Sequence, residues 1–385
     1  MIIDDEVKNL KQKIKIYKRF FSKHPESGYN EFETSEYIIK QLQAKGFTMK
    51  SNIAKTGIVA TFKGNGDKPC ILFRCEMDAL KMDENGRMKH ACGHDAHMTI
   101  MLALADLISI NKEKIQGNIK LLFQPAEETI GGARNMITEG VLNKPEVDFV
   151  FALHIWSELT KQTIGIKSGS VMSATDPFDI KVIGKGGHAA MPEKCIDPIH
   201  IASLINIEIN KIVKNYEKEN DDIVLSITAI NGGTSNNIIP EIVEMKGIFR
   251  TYNNNIRQLI RNRIIETSEG IAKSLNAKAI VSFKEGNYPA VVNDEKICVL
   301  LENIAGKIGG KEKVVKDYRT MCSDDFSYFL EKRKGAYIFV GNGQKLYYPQ
   351  HSEGFNVDTD TMLLGTQIFY DIIKNYSYKK DKNAL

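Results

Sequence analysis

The chain has 385 residues, about twice the usual length of one domain, which predicts two domains. Hydrophobic residues make up 42% and charged residues 26%, an ordinary globular mixture that excludes a disordered or fibrous chain. The net charge of +4 is spread along the chain without a basic stripe, so nothing here argues for a nucleic-acid partner.

The opening MIIDDEVKNLKQKIK alternates charges without an apolar stretch and does not read as a signal peptide. No apolar run approaches the ~18–20 residues of a membrane span, so a soluble, cytosolic protein is expected. Val7, Leu10, Ile14, Tyr17 and Phe21 recur at helical spacing, and a second helix runs from Glu31 to a stop at Gly46. Strand and helix patterns then alternate. Residues 57–62 and 70–77 read as strands, 95–110 as a helix, 118–124 as a strand, 133–142 as a helix and 147–155 as a strand. The 70–77 run is almost continuously apolar, as in a strand covered on both faces. This alternation predicts an α/β domain with a mainly parallel sheet and helices on both faces.

From residue 176 the order changes. A strand at 178–187, a helix at 198–216, strands at 222–230 and 242–252, a helix at 254–275 and a strand at 277–285 spell βαββαβ, the ferredoxin-like split motif. A helix at 294–308, a strand at 335–341 and a helix at 358–375 follow, ahead of a charged tail. The expected organisation is therefore a catalytic domain at 1–175 and 289–385, interrupted by a ferredoxin-like domain at 176–288.

Six cysteines without a CxxC pair do not form a disulfide framework, and Cys70, Cys75 and Cys298 read as small buried hydrophobes. Cys92 differs, because it stands in His90-Ala-Cys-Gly-His94-Asp-Ala-His97. Cys and His are preferred zinc-type ligands, and Glu127-Glu128, His154 and His351 are further candidate donors. The Cys/His cluster follows strand 70–77, the glutamates follow 118–124, His154 ends 147–155, and His351 lies beyond 335–341. An open parallel sheet forms its sites beyond the carboxyl ends of its strands, so four distant segments are delivered to one edge. Taken alone, His154 reads better as a satisfied core histidine, whereas the glutamates, usually a solvated helix start, follow Pro125 at a strand end and read at least as well as a functional turn. His97 reads as helix packing or support, and His90 as loop. HExxH, a Walker loop, GxGxxG after a strand and GxSxG are all missing, which removes the usual nucleophile elbow.

The set RCEMDAL (74–80), HACGHDAHM (90–98), LLFQPAEE (121–128), ALH (152–154), GKGGHAAMP (184–192), GGTSNNIIP (232–240), GIFRT (247–251), SDDFSYF (323–329) and HSEGFNVD (351–358) resembles the dinuclear-metal amidohydrolases. These form the aminoacylase, hippurate hydrolase, N-acetyldiaminopimelate deacetylase and auxin-conjugate hydrolase branch of a dimeric metallopeptidase family. The resemblance implies five metal ligands, Cys92, His94, Glu128, His154 and His351. Cys92 would bridge two divalent ions, one also held by Glu128 and His351, the other by His94 and His154. Manganese or zinc leads as the metal, with cobalt and nickel open. Glu127 would be the general base acting on a water shared by the ions, and Asp78 would orient the site. From the inserted lid, His188 would donate to the oxyanion, typically across a dimer interface, while Asn237 and Arg250 would hold a substrate carboxylate. On residue type alone, Asn237 reads as a turn residue and Arg250 as an exposed strand residue.

Glu76 stands where the family usually has Asp, Lys81 where it has Pro, and Asp324 where it has Glu, and the Leu80–His90 connection is short. The resulting expectation is a cytosolic homodimer, or an oligomer built from such dimers, that cleaves N-acyl amino acids to a carboxylic acid and a free amino acid. Rival readings are a carboxypeptidase or dipeptidase using the same centre, and a catalytically silent metal- or ligand-binding protein. Glu127 beside all five ligands argues against the last.

Overall fold

The computed structural model of the chain describes residues 1–214, 223–284, 286–343 and 348–377. Within these, two compact units separate. The first comprises Met1–Val171, Val292–Arg319 and Asp325–Leu385, and the second Met172–Val291 and Thr320–Asp324.

The first unit is built on an eight-stranded sheet in the order Thr48–Ile53, Gly57–Lys63, Gln116–Gln124, Asn65–Glu76, Phe149–Thr160, Lys334–Gly343, Ile164–Gly165 and Val314–Val315. The four central strands run parallel, whereas Thr48–Ile53 and Gly57–Lys63 form an antiparallel wing. Residues of both parities from Cys70 to Glu76 are buried, so this strand is covered on both faces and has no polar alternation to show. Helix His94–Ile110 is buried from His94 to Ile108. Being apolar nearly all round, it sits inside a helical layer with Lys11–Lys23 and Thr359–Ser377 instead of facing solvent. The first of these helices buries Ile14, Tyr17 and Phe21, the stripe expected from its spacing. The helix expected at 133–142 is shorter, Ala133–Thr138, because the chain turns at Gly140, where φ is 85°.

One buried ionic cluster fastens the sheet from below the site. The Arg74 guanidinium donates to Glu76, to Gln124 Oε1 at 2.9 Å and to Asp325 Oδ1 at 2.7 Å. Gln124 Nε2 also donates to Asp325, whose other oxygen accepts from the Ala133 amide at 2.9 Å. The side chains of Arg74, Glu76 and Asp325 are all 0% exposed.

The second unit is a four-stranded antiparallel sheet in the order Ile223–Asn231, Ile242–Thr251, Ala174–Ile183 and Lys278–Phe283. Helices Pro198–Lys214 and Asn254–Ser274 cover one face, packing Ile201, Ile205, Ile260 and Ile264 against Phe178, Ile180 and Met245. This is the βαββαβ order with its first and third strands central. A Cβ at Gly247 would lie 2.4 Å from the Phe178 ring, so the two central strands meet closely there. The ends of the inserted stretch are paired, because Thr175 and Tyr288 exchange backbone hydrogen bonds at 3.0 and 3.1 Å. Residues 320–324 carry no periodic signal. They join this unit because Ser173 N–H donates to the Cys322 carbonyl, and both Ser173 Oγ and Arg250 Nη1 donate to the Met321 carbonyl. The expected ends of helix 198–216, strand 222–230 and strand 277–285, at 215–216, 222 and 285, lie outside the described residues. So does most of the charged tail, from 378 onward.

Arg74→Met leaves Glu76 and Asp325 buried without their cation, and should lower unfolding stability by roughly 3–5 kcal/mol. Denaturant titration of the purified variant measures this. A loss below about 1 kcal/mol, the value of a surface pair, would mean that the cluster does not hold the sheet.

Candidate metal centre

The donors gather at the carboxyl edge of the parallel strands, all within the first unit. Cys92 and His94 flank Gly93, whose φ of 99° starts helix His94–Ile110 and suits glycine alone among common residues. Beyond strand Gln116–Gln124, Pro125 and a left-handed Ala126 (φ 60°) turn the chain into Glu127 and Glu128. His154 lies within strand Phe149–Thr160. His351 is also left-handed, at φ 66°, and its N–H donates 2.8 Å to the Ala91 carbonyl, which brings it beside Cys92.

Among the described residues, two of the candidate donor triads contain Cys92, namely Cys92-His94-His154 and Cys92-Glu128-His351, each with ligand atoms within 4.8 Å of one another. Ligands around one ion at about 2.0–2.3 Å must lie within roughly 4.6 Å of each other, so both spacings suit a small divalent ion. Cys92 belongs to both. A third set, His94-Glu127-Glu128, puts Glu127 at the same place, with Glu127 Oε2 at 4.0 Å and Glu128 Oε1 at 3.9 Å from His94 Nε2.

The imidazoles are oriented for ligation. His94 Nδ1–H donates to the Asp78 carbonyl at 2.8 Å and His154 Nδ1–H to the Ile155 carbonyl at 2.9 Å. A carbonyl only accepts, so each ring in its neutral form carries its proton on Nδ1 and can offer the Nε2 lone pair to the pocket. His154 Nε2 lies 3.4 Å from Cys92 Sγ, and His351 Nε2 lies 3.3 Å from Glu128 Oε1. Among the described residues, His94 Nε2 and Glu128 Oε1 are buried atoms without a hydrogen-bond partner. Leaving such groups buried and unsatisfied costs about 1–3 kcal/mol each, a cost that ligation removes. The donor set therefore fits two divalent ions.

Charge says the same. Burial, together with the Glu128 and Glu127 carboxylates, pushes the Cys92 thiol well above its ordinary range. Burial opposes a proton on His94, but the Asp78, Glu76 and Glu128 carboxylates outweigh it and raise the ring to about 10. Burial likewise opposes ionisation of Glu128, yet His351 and His94 bring it down to about 2. The Cys92 and His94 shifts both register the nearby carboxylates, whose charge dications would offset.

Asp78 is wholly buried and ties the two halves together. Its carbonyl holds His94, and its Oδ2 accepts the Glu128 N–H at 2.9 Å. A second buried carboxylate, Glu31, accepts the Ala126 N–H at 2.9 Å and the Thr56 hydroxyl at 2.6 Å. Residue type gave no sign of this, since Glu31 reads as a helix start. His97 supports the layer beneath the donors. Its Nδ1 bonds Glu76 at 2.8 Å, its Nε2 accepts the Ile155 N–H at 3.1 Å, and its ring sits 4.5 Å from that of His154. His90, read as loop, is buried with neither ring nitrogen bonded among the described residues, and burial lowers it to about 4. Gln350 was also missed. It anchors the His351 segment by donating to the Ile155 carbonyl at 3.1 Å.

The other expected site residues belong to the second unit. His188 pairs with Ile238 in a short ladder, and the neighbouring Ala189 N–H donates to the Asn237 carbonyl at 3.0 Å, so His188 and Asn237 are brought together. Arg250 lies on strand Ile242–Thr251 with Nη1 on the Met321 carbonyl at 2.7 Å, and burial depresses its pKa.

The signature of peptidase family M20/M25/M40 matches residues 72–375. An N-acetyl-L-cysteine deacetylase from Bacillus subtilis is 33% identical over 366 residues, covering 93% of this chain and 86% of that protein. Thermostable carboxypeptidase 2 from Saccharolobus solfataricus is 35% identical over 378 residues, covering 94% and 95%. Among solved structures, a dinuclear metal-binding peptidase from Bacillus subtilis superposes with a TM-score of 0.80 at 29% identity, covering 95% of this chain and 98% of that one.

Protein reconstituted with excess manganese or zinc should approach two ions per chain by metal analysis. Cys92→Ala, which touches both triads, should weaken both ions, whereas His154→Ala should spare the ion at Glu128 and His351. Two ions retained with unchanged affinity in Cys92→Ala would exclude the thiol as a shared ligand.

Proposed function

This chain belongs to peptidase family M20/M25/M40, and we propose that it hydrolyses the amide bond of N-acyl amino acids to a carboxylic acid and a free amino acid. It is an amidohydrolase of that family. The observation that carries the reading is the thiol of Cys92 common to two donor triads, with the Glu127 carboxylate beside them.

In this reading Cys92, His94 and His154 would hold one ion, and Cys92, Glu128 and His351 would hold the other. Bound there, divalent ions supply charge that polarises a carbonyl and makes water more acidic. Glu127 takes the proton of the attacking water and returns it to the leaving amine. Asp78 keeps His94 and Glu128 in register. His188 donates to the oxygen of the scissile carbonyl as charge develops on it. Arg250, with Asn237, holds the substrate carboxylate, a role suited to the planar fork of a guanidinium.

The second unit serves in this proposal as lid and dimerisation surface. Its edge strand Ile223–Asn231 leaves Val224 and Ile230 exposed, and helix Pro198–Lys214 exposes Ile199 and Ile207. Apolar surface of this kind beside an open strand edge suits a second copy of the chain. We place the enzyme in the cytoplasm. Among the described residues no helix is long and apolar enough to cross a membrane.

A peptide with a free C-terminus presents the same carboxylate, and the 35% identical relative is named a carboxypeptidase, so peptide cleavage is the second reading. Rates on acetyl- and benzoyl-amino acids against dipeptides separate the two. Faster turnover of dipeptides would replace the first reading with the second.

Glu127→Gln should keep both ions and lose activity by ~10²–10⁴-fold, while Glu128→Gln should lose metal. Swapped phenotypes would reverse base and ligand. Arg250→Ala should lower kcat/KM for an N-acyl amino acid by about 10- to 150-fold, yet barely alter cleavage of the matching amide without a carboxylate. Equal losses on both substrates would mean that Arg250 shapes the lid and does not read the carboxylate.

A further inference from the structure

Successive residues of an extended chain point to opposite sides, so two adjacent glutamates reach one pocket only if the backbone bends. Ala126 supplies the bend in the left-handed region, which costs a residue with a Cβ roughly 1–2 kcal/mol. The conformation persists because the turn is held from outside. Ala126 N–H donates to Glu31 Oε1 at 2.9 Å, and Glu128 N–H donates to Asp78 Oδ2 at 2.9 Å. The Pro125–Ala126 and Glu127–Glu128 peptide groups are therefore fastened to two different buried carboxyl groups. Glu31 is itself fixed. It is 0% exposed, and Thr56 Oγ1 donates to its second oxygen at 2.6 Å. The segment leading to Glu31 lies flush against the turn, since a Cβ at Gly28 would come within 2.9 Å of Ala126 Cα.

We propose that Glu31 is a positioning residue for Glu127. Its carboxylate clamps the Ala126 peptide and so aims the neighbouring side chain at the attacking water, while Asp78 separately holds the Glu128 side of the turn. This rests on Glu127 being the base, as proposed above. Glu31 touches neither substrate nor ligand atoms and acts only through the backbone. Removing it loosens one end of the turn and leaves the other end, with its metal ligand, in place.

The test is a set of variants of the full chain, reconstituted with manganese or zinc and assayed on an N-acyl amino acid. Glu31→Ala should lower kcat by about 10- to 100-fold, as misplacement of a reacting group by an ångström does, with KM changed only a few-fold and two ions retained. Glu31→Gln, whose amide oxygen can still accept from Ala126, should recover most of the rate. In the Glu127→Gln background Glu31→Ala should have almost no further effect on the residual rate, because nothing remains to be aimed. An unchanged kcat, metal lost in step with activity, or the same fold-loss in the Glu127→Gln background would each overturn the proposal. Full activity of Glu127→Gln alone would remove the premise, and that is seen before Glu31 is altered. Should Glu31→Ala not fold, Thr56→Val frees the Glu31 carboxylate by removing one hydroxyl. It should lower kcat several-fold, again only when Glu127 is present, and an undiminished kcat would overturn the proposal equally.

Discussion

The donor-bearing edge of the parallel sheet stands on one buried guanidinium. Arg74 is the cation beneath a layer that includes Glu76 and Asp325, and both carboxylates are withdrawn from water. Burying such charges is costly unless each finds a partner and its remaining lone pairs are used. The planar fork of arginine does this for three neighbours at once. From Glu76 the connection passes to His97, and from His97 to the Ile155 peptide, whose carbonyl orients His154 and receives Gln350. His154 and the segment that carries His351 are thus set on hydrogen bonds that continue into the sheet. Glu76 sits at the centre of that connection.

The same logic explains how strained backbone persists at this edge. Ala126 and His351 both adopt left-handed conformations that ordinary residues avoid, and each is held by a short bond from its own N–H. Strain of this kind survives only where the surroundings over-determine it. Here it lets adjacent glutamates share a pocket and turns His351 back towards Cys92.

Much of this was legible beforehand because it depends on residue type and period. Parallel strands buried on both faces appear as unbroken apolar runs, and the second unit's half-exposed strands alternate cleanly, so the two architectures separate in the chain. The donors stood out because cysteine and histidine are scarce and fall after strand ends. The antiparallel wing was not fully legible: Thr48–Ile53 is a mostly polar edge strand with only Ile53 fully buried. Residues 320–324 joined the second unit through backbone carbonyls, which leave no mark on side-chain choice. Glu31 was hidden for a similar reason. A glutamate before a helix is common, and nothing local reveals that its carboxylate reaches a turn far along the chain.

The paired ends of the inserted stretch bear on how the chain finds its fold. Strand Lys334–Gly343 lies parallel to Phe149–Thr160, yet the whole second unit intervenes between them in sequence. Contacts of such long range are slow to form, because the loop must close before the contact repays it. Thr175 and Tyr288 meet within the second unit, so once that unit has formed its two exits emerge together and the intervening chain behaves as a short tether. Loop closure then becomes easier by only about 1 kcal/mol or less, since its cost grows slowly with length. The larger effect is on the order of events. An autonomous insert can complete itself early, and the late strand of the first unit can still find its partner as if the chain had never been interrupted.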